Sequence, residues 1–213
     1  MAQYQFLPYI LGNFSSVCEV KDAIKNINLS DTPLDGLTPS PLHYMVSDRF
    51  LDIVIECVDG KIKVYDNSVG VMTNSPTFDM QLFNLNNFMS LSTAQPQNNF
   101  AKDLPLKTYC FGMGTMGLPG DYSSQSRFVR ATFVRNNYVV EEKSLLPLYH
   151  VLDSVFVPKG CCLSKSGYEI TMYTSCIDVD NLLYTYKTYN NPQIRTVKFE
   201  KDIHDILTFP VTI

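Results

Sequence analysis

The sequence predicts an α+β fold built from mostly antiparallel sheets with helices layered on them. Strand signals occur in runs at hairpin spacing and helical signals in separate blocks, whereas a doubly wound parallel sheet would alternate the two along the chain. The 213 residues are 45% hydrophobic, an ordinary share for a globular protein. Because no linker-like stretch separates two cores, we predict a single domain over residues 1–213.

A capping-box pair predicts where the first helix begins. Ser16 stands three residues before Glu19, the spacing at which each side chain can bond the other residue's backbone N–H. Apolar residues then recur at three- and four-residue steps, namely Val17, Val20, Ile24 and Ile27. We expect this helix to end near residues 26–28. The earlier apolar run over residues 6–11 is short, contains a proline and precedes no small-residue cleavage site, so it does not predict a secretory signal.

A series of strand signals follows the first helix. Strands are predicted over residues 42–47, 52–58, 61–65 and 69–73. The second and third of these flank Asp59-Gly60, a pair typical of a two-residue hairpin turn. Ile53, Val54 and Ile55 run consecutively, which predicts a strand buried on both faces.

The rest of the chain shows helices first and strands afterwards. Helices are predicted over residues 78–89, 123–136 and 142–156, and strands over residues 168–175, 182–188, 195–199 and 209–213. Pro147 is compatible with the first turn of the last of these helices. The polar stretch from Ser90 to Lys107 is too long for an ordinary connection, which indicates a functional or assembly loop.

Charge and hydropathy exclude several classes of partner. Seventeen basic and 21 acidic residues give a net charge of −4 and a pI near 5.3. The concentrated positive surface that binds phosphate backbones is therefore not expected, and nucleic acid is not a predicted partner. No apolar run approaches the roughly 18 residues that suggest a membrane span. The six cysteines show no C-x-x-C spacing, which indicates reduced thiols in a cytosolic protein.

The sequence predicts no cofactor and no metal. Gly112, Gly114 and Gly117 have the spacing of a dinucleotide fingerprint, but such a site needs a helix to begin there. Leu118-Pro119-Gly120 follows at once, which favours a flexible glycine loop. The histidines lie far apart and show no metal-ligand spacing; they are His43, His150 and His204.

Two polar positions stand out as candidate site residues. Asn74 ends the predicted strand over residues 69–73 just ahead of a helix, where its side-chain amide suits stabilisation of an oxyanion in a cleft. It equally suits a cap or turn before Pro76. Arg127 and Arg130 share a helix face at i, i+3, either as a solvated basic face or with one of them reaching a carboxylate in a cleft. These residues by themselves indicate no nucleophile and no reaction.

Six segments are spread in order across nearly the whole chain. They are NFSSV at 13–17, LHYMVSD at 42–48, GVMTNSPTFD at 70–79, GLPGD at 117–121, SRFVR at 126–130 and YTSC at 173–176. Read together, they resemble the choloylglycine hydrolase family, which includes conjugated bile salt hydrolases and penicillin V acylases. They favour the bile salt hydrolase side.

The resemblance implies a fold, an activity and two site residues. The fold is that of N-terminal-nucleophile hydrolases, an αββα sandwich, here incomplete at the N-terminus. Family members cleave the amide between a bile acid and glycine or taurine, using a cysteine whose own α-amino group serves as base. By position in the motifs, Asn74 matches the family's oxyanion-hole asparagine and Arg127 its active-site arginine. The segment 90–117 falls where bile salt hydrolases carry an extension used in tetramer assembly, so a homo-oligomer is expected.

The chain departs from the family pattern at its start. It resembles a full-length member from the middle onward, and Met1-Ala2-Gln3 offers no nucleophile. Cys18 cannot substitute, because its amino group is locked in a peptide bond inside the first helix. We therefore expect the chain to be inactive alone and to act with an N-terminal fragment in trans. The alternatives are an oligomeric remnant, a module that binds bile-salt-like amphiphiles, and a penicillin V acylase-like parent activity.

Overall fold

The computed structural model describes residues 1–34, 42–139 and 144–199, and these fall into two compact units. Unit 1 holds residues 1–119 and 123–132, and unit 2 holds residues 120–122 and the chain from 133 onward. All the sheet pairings of the described residues are antiparallel, apart from one isolated parallel bridge between Ala2 and Ser30. The prediction of helices combined with antiparallel sheets is confirmed.

Five α-helices and eight strands make up the described fold. Helices α1 to α5 span Gln3–Asn13, Val17–Ala23, Phe78–Asn84, Ser124–Asn137 and Leu146–Asp153, and short 3₁₀ helices span Ile24–Asn26, Leu85–Phe88 and Met113–Thr115. Strands β1 to β8 span His43–Ser47, Asp52–Val58, Lys61–Asp66, Leu163–Ser164, Gly167–Tyr168, Tyr173–Asp178, Leu183–Thr188 and Asn191–Lys198. The described sheets have the orders β1-β2-β3, β4-β5 and β6-β7-β8.

The first face of the β1-β2-β3 sheet packs against α1 and α2. Side chains alternate between the two faces of a strand, and Ile53 and Ile55 of β2 point to this face, both fully buried. They join a cluster with apolar residues of the two helices, namely Phe6, Ile10, Val17, Val20, Ile24 and Leu29. Burial of these side chains is the main stabilising contribution to unit 1.

The predicted cap and hairpin are both present in this part of the molecule. The Ser16 hydroxyl oxygen accepts a hydrogen bond from the Glu19 N–H at 3.3 Å and begins α2. Asp59 and Gly60 both have positive φ, at 51° and 71°. A two-residue hairpin turn needs this conformation at both central positions, and it joins β2 to β3.

Helix α1 is absent from the sequence-based prediction. Pro8 lies inside it, and proline removes a backbone donor and normally ends a helix. The helix forms nevertheless because Phe6 and Ile10 enter the core one turn apart. Tertiary burial therefore overrides an unfavourable local signal.

The second face of the same sheet is covered by α3 and the first half of α4. Val54 and Tyr65 are cross-strand partners on this face. The Tyr65 ring lies 5.7 Å from the Phe78 ring of α3, and the Phe78 ring lies 6.0 Å from the Phe128 ring of α4. Since Ile53, Val54 and Ile55 are all fully buried, the prediction that β2 is covered on both faces is confirmed.

The prediction of a strand over residues 69–73 is wrong. The Asn67 side chain accepts a hydrogen bond from the Gly70 N–H at 2.9 Å and donates to the Val71 carbonyl oxygen at 3.4 Å. Gly70 has a φ of +61°. Side-chain bonds to the backbone thus replace a sheet ladder, and the segment enters α3 as a turn.

The segment 90–117 is a long surface loop, as predicted, but its glycines are not all in open space. The Ser92 N–H donates to the Gly114 carbonyl oxygen at 2.9 Å. A Cβ on Gly114 would lie 1.9 Å from the Ala94 carbonyl oxygen. Glycine is therefore required where the two ends of the loop meet, which corrects the prediction of a flexible glycine loop at that position.

Unit 2 is built on α5 and the β6-β7-β8 sheet. Tyr149 of α5 is buried, and its hydroxyl donates to the Thr185 hydroxyl of β7 at 3.0 Å. The Lys187 ammonium lies 2.6 Å from an Asp153 carboxylate oxygen and 5.4 Å from the centre of the Tyr149 ring. A hydrogen bond and an ion pair thus attach α5 to strand β7.

The remaining predicted elements agree with the structure to different degrees. Helix α4 and strand β7 lie where the sequence predicts them, and Pro147 is in the first turn of α5. Helix α5 begins at Leu146, later than predicted. Residues 140–143 lie outside the described residues, and so does the strand predicted over residues 209–213. The predicted strand 168–175 is wrong in its bounds, since β5 ends at Tyr168 and β6 begins at Tyr173.

All six cysteines lie among the described residues, and each is a free thiol. Within the same residues, no helix is both long enough and apolar enough to pass through a bilayer.

Candidate active site

Asn74 and Arg127 are adjacent in the structure, 53 residues apart in sequence. The guanidinium Nη2 of Arg127 donates a hydrogen bond to Asn74 Oδ1 at 2.8 Å. Because a guanidinium can only donate, it requires the amide oxygen of Asn74 to face it. The Asn74 NH₂ group is then directed elsewhere, and no described residue accepts a hydrogen bond from it. Asn74 is exposed, so this NH₂ group is available to a ligand.

The backbone of Asn74 is held from a second direction. Its carbonyl oxygen accepts from the Ser124 hydroxyl at 2.8 Å and from Gln81 Nε2 at 3.2 Å. Gln81 is fully buried in α3, and Ser124 is the first residue of α4. Thr73 joins the group, since its hydroxyl lies 3.0 Å from that of Ser124 and donates to the Ser124 carbonyl oxygen.

Sequence reasoning missed Gln81, Ser124 and Thr73 as members of this site. The signal for Gln81 was its place in the apolar stripe of the helix predicted over residues 78–89, where a polar residue needs an explanation. Ser124 and Thr73 carried no such signal. Ordinary surface segments contain many such hydroxyls, and only the fold brings these two together.

Helix α4 carries Arg127 to the site and buries its neighbours. Phe128 and Val129 are buried, and the Phe128 ring lies 6.0 Å from the Phe78 ring of α3. Arg130 is also buried and donates to the Pro119 carbonyl oxygen at 2.6 Å. The alternative of a solvated basic face is therefore wrong for Arg130, which connects the helix to the segment that precedes it.

A buried carboxylate lies beneath the site. Glu56 of β2 is buried, and both of its oxygens accept from the Phe78 N–H at the start of α3, at 3.0 and 3.2 Å. Its Oε1 also lies 2.6 Å from His43 Nδ1 on the neighbouring strand. A carboxylate at a helix N-terminus satisfies a backbone donor and interacts favourably with the helix dipole. Glu56 therefore fixes where α3 begins.

Thr77 and Asp79 organise the first turn of α3 on its exposed side. The Thr77 hydroxyl donates to Asp79 Oδ1 at 2.5 Å, and this bond holds the pKa of the Asp79 carboxyl below its usual value. The Met80 N–H, which donates to the same oxygen at 3.0 Å, acts in the same direction. The negative charge is thus retained where the helix dipole favours it.

The described residues place an amide donor and a guanidinium side by side, but Cys18 is not placed to act on them as a nucleophile. Cys18 is in α2, which packs on the first face of the sheet, whereas α3 and α4 lie on the second. Among the described residues, no three His, Cys, Asp or Glu side chains are grouped to hold a metal ion. The geometry suits stabilisation of a negatively charged oxygen.

Comparison with known proteins identifies the family. The family model described as linear amide C–N hydrolases, choloylglycine hydrolase family, matches residues 1–209 of the sequence. The chain belongs to the choloylglycine hydrolase family. The chain is 45% identical to the bile salt hydrolase/transferase of Lactiplantibacillus plantarum over 98% of its own length and 67% of that protein's. It is 38% identical to the bile salt hydrolase/transferase of Clostridium perfringens over 93% of its own length and 62% of that protein's.

Solved structures of family members share the fold of this chain. A variant of the conjugated bile acid hydrolase from Clostridium perfringens matches with a TM-score of 0.85 at 38% identity, covering 93% of this chain and 62% of that one. Penicillin V acylase from Agrobacterium tumefaciens matches with a TM-score of 0.70 at 24% identity, which shows the fold alone; the alignment covers 93% of this chain and 56% of that one. The predicted α+β fold of the N-terminal-nucleophile hydrolase type is confirmed. The present chain thus spans between 56% and 67% of the length of these matched proteins.

Proposed function

We propose that this chain takes part in hydrolysis of the amide bond between a bile acid and glycine or taurine. The observation that carries the proposal is the 2.8 Å hydrogen bond from Arg127 to Asn74 Oδ1. It leaves the Asn74 NH₂ group as a donor at an exposed position. Two relatives at 45% and 38% identity that bear the name bile salt hydrolase/transferase support the choice of substrate.

Asn74 is proposed to donate a hydrogen bond to the oxyanion. Arg127 is proposed to orient and polarise the Asn74 amide. When a nucleophile attacks the amide carbonyl carbon, negative charge develops on the oxygen, and a preorganised donor there lowers the barrier by about 3–4 kcal/mol. The cation at Oδ1 polarises the Asn74 amide and strengthens its N–H groups as donors. The intermediate then expels the amine, which leaves as glycine or taurine with the proton that the nucleophile gave up, and water cleaves the acyl group from the nucleophile to release the bile acid.

The nucleophile is proposed to come from a segment outside residues 1–213, either joined to this chain or supplied in trans. Cys18 does not fill this role, because its amino group is in a peptide bond and its helix packs on the other face of the sheet. We therefore expect residues 1–213 alone to give no amide hydrolysis. Removing a catalytic nucleophile lowers kcat by about 10⁶-fold in a well-studied hydrolase.

Mixing or co-expressing the chain with the leading third of the Lactiplantibacillus plantarum relative tests this proposal. We expect release of glycine from glycocholate and of taurine from taurocholate by the mixture, and none from either part alone. Association of the two parts without amino-acid release would contradict it. Penicillin V in parallel distinguishes a penicillin V acylase-like activity, for which a 26% identical relative from Pectobacterium atrosepticum provides the motive.

The loop 90–117 is proposed as an assembly surface of a homo-oligomer. It exposes large apolar side chains, with Phe111 99% and Phe100 85% accessible and Tyr109 and Met116 also exposed. Apolar patches of this kind mark interaction sites. We expect the chain to sediment as an oligomer and the double variant Phe100→Ser, Phe111→Ser to sediment as a smaller species. A monodisperse monomer of the unsubstituted chain would contradict the proposal.

A further inference from the structure

We propose that Gln81 is a positioning residue for Asn74, acting through the Asn74 main chain from inside the fold. Its relevance to catalysis rests on the proposed function, but the contact itself does not. Gln81 is 1% exposed, whereas Asn74 is exposed. A buried amide on a packed helix thus determines the position of a side chain at the surface.

The Gln81 NH₂ group contacts the Asn74 carbonyl oxygen and the two hydroxyls beside it. Nε2 lies 3.2 Å from the Asn74 carbonyl oxygen, 3.2 Å from the Ser124 hydroxyl and 3.3 Å from the Thr73 hydroxyl. The carbonyl can only accept, so the NH₂ end of Gln81 must face it and the amide cannot be reversed. With the Ser124 hydroxyl also donating, both lone pairs of the Asn74 carbonyl oxygen are used.

The other end of the Gln81 amide shows that packing alone does not account for the residue. Its Oε1 is buried and has no hydrogen-bond partner among the described residues. A buried, unpaired acceptor destabilises a fold, and an apolar side chain of similar size would avoid the penalty. The benefit of glutamine at this position therefore lies in the contacts of Nε2.

Gln81 is itself held in place by the start of α3. Glu56 accepts from the Phe78 N–H, and Gln81 follows Phe78 by three residues, so the two side chains project from nearly the same side of the helix. The Gln81 N–H is bonded to the Thr77 carbonyl oxygen at 3.0 Å within the first turn. Glu56 thus holds the start of α3, and Gln81 of α3 holds the main chain of Asn74. Arg127 determines how the Asn74 side-chain amide is rotated.

Side-chain amide NMR of the ¹⁵N-labelled 213-residue chain, without substrate, tests the positioning role directly. The Asn74 NH₂ resonances are assigned by their loss in Asn74→Asp. We expect Gln81→Leu and Gln81→Glu to shift or broaden them, because the first removes the donor and the second places an acceptor against a carbonyl. Val20→Ala, a buried substitution in α2 on the other face of the sheet, serves as the matched destabilised control and should leave them unchanged.

Unchanged Asn74 resonances in both folded Gln81 variants would overturn the proposal. If the Gln81 variants do not fold, Ser124→Ala carries the test, since it removes the other donor to the same carbonyl and should move the same resonances. In any preparation that hydrolyses glycocholate, Gln81→Leu should lower kcat by roughly 10- to 100-fold with KM little changed. A lack of amidase activity in every preparation would refute the proposed function but leave the NMR result to decide the role of Gln81.

Discussion

Both faces of the β1-β2-β3 sheet are buried along β2, but they are built from different chemistry. The first face packs Ile53 and Ile55 against α1 and α2 through a cluster of apolar side chains, and the Tyr44 hydroxyl adds a hydrogen bond to the Gln3 carbonyl oxygen of α1. The second face places Glu56 next to Val54 and binds the N-terminus of α3 through hydrogen bonds. The candidate site lies on the side of the sheet that contains Glu56.

This difference separates stabilisation from positioning. Apolar packing is non-directional and tolerates exchange of similar residues, so the apolar cluster on the first face contributes mainly free energy of folding. The hydrogen bonds that Glu56 accepts and that Gln81 donates have defined directions and distances. They place Asn74 within reach of Arg127, which apolar contacts would not achieve to a few tenths of an ångström.

Removing bulk from the first face should produce the largest loss of stability. Phe6 is 1% exposed and its ring lies 4.7 Å from that of Tyr44, so Phe6→Ala should lower the free energy of unfolding by about 3–5 kcal/mol. Urea unfolding followed by circular dichroism measures this. Leu11→Ala on the exposed side of the same helix is the control, expected within about 0.5 kcal/mol of the unsubstituted chain. An equal loss in both variants would contradict the assignment of the core.

Asn74→Ala should separate activity from stability most clearly. In a preparation with amidase activity, we expect kcat to fall by about 10²- to 10³-fold, the effect of losing one oxyanion donor. The free energy of unfolding should change little, because the Asn74 side chain is exposed. Arg127→Lys provides the companion measurement, since lysine keeps the charge but loses the planar donor geometry. Full activity of Asn74→Ala would exclude the proposed oxyanion role.

Replacing Glu56 should affect both properties. Glu56→Ala leaves the buried Phe78 N–H without its acceptor, and it should lower the free energy of unfolding by about 2–4 kcal/mol. Glu56→Gln keeps an acceptor oxygen and should retain most of the stability. If the two variants lose equal stability, charge rather than hydrogen bonding holds the second face together. The comparison of urea midpoints at pH 7 distinguishes these outcomes.

Asp48 should give the smallest effect, and one that depends on pH. Its carboxylate accepts from the Val17 N–H at the start of α2, at 2.8 Å, and from the Phe50 and Leu51 N–H groups, and these bonds lower its pKa below the usual value. A carboxyl whose pKa is lowered by folding stabilises the protein above the unfolded pKa of about 3.9 and loses this contribution as the pH falls through the folded pKa.

Unfolding of Asp48→Asn at several pH values measures this contribution. The variant should be less stable than the unsubstituted chain at pH 7, and the difference should shrink as the pH falls below about 4. A difference that stays constant down to pH 2 would show that Asp48 acts through shape and not through its charge.

Local signals in the sequence account for the elements that depend on few neighbours. The Ser16 cap and the Asp59-Gly60 turn are recognisable because two or three consecutive residues decide their conformation. Residues 69–73 mislead because β-branched residues such as Val69 and Val71 favour a strand, while the Asn67 side chain takes the backbone hydrogen bonds. Helix α1 was missed for the opposite reason, since Pro8 is locally unfavourable and long-range packing compensates for it.

The candidate site could be predicted only in part. The family motifs single out Asn74 and Arg127, but their 2.8 Å contact depends on two segments 53 residues apart. Gln81 and Ser124 belong to no motif that states their role. Their hydrogen bonds to one carbonyl arise from the packing of α3 and α4 on the same face of the sheet.

The sequence by itself determined the class of fold, the family and the two residues that its motifs single out, because hydrophobic periodicity, capping residues and motif order are properties of the chain alone. Tertiary structure alone decided that Arg127 orients the Asn74 amide. It also decided that Gln81 bonds the Asn74 carbonyl oxygen and that Glu56 holds the start of the same helix as Gln81. Directional hydrogen bonds between distant segments exist only after the sheet and helices have packed, so periodicity along the chain does not predict them.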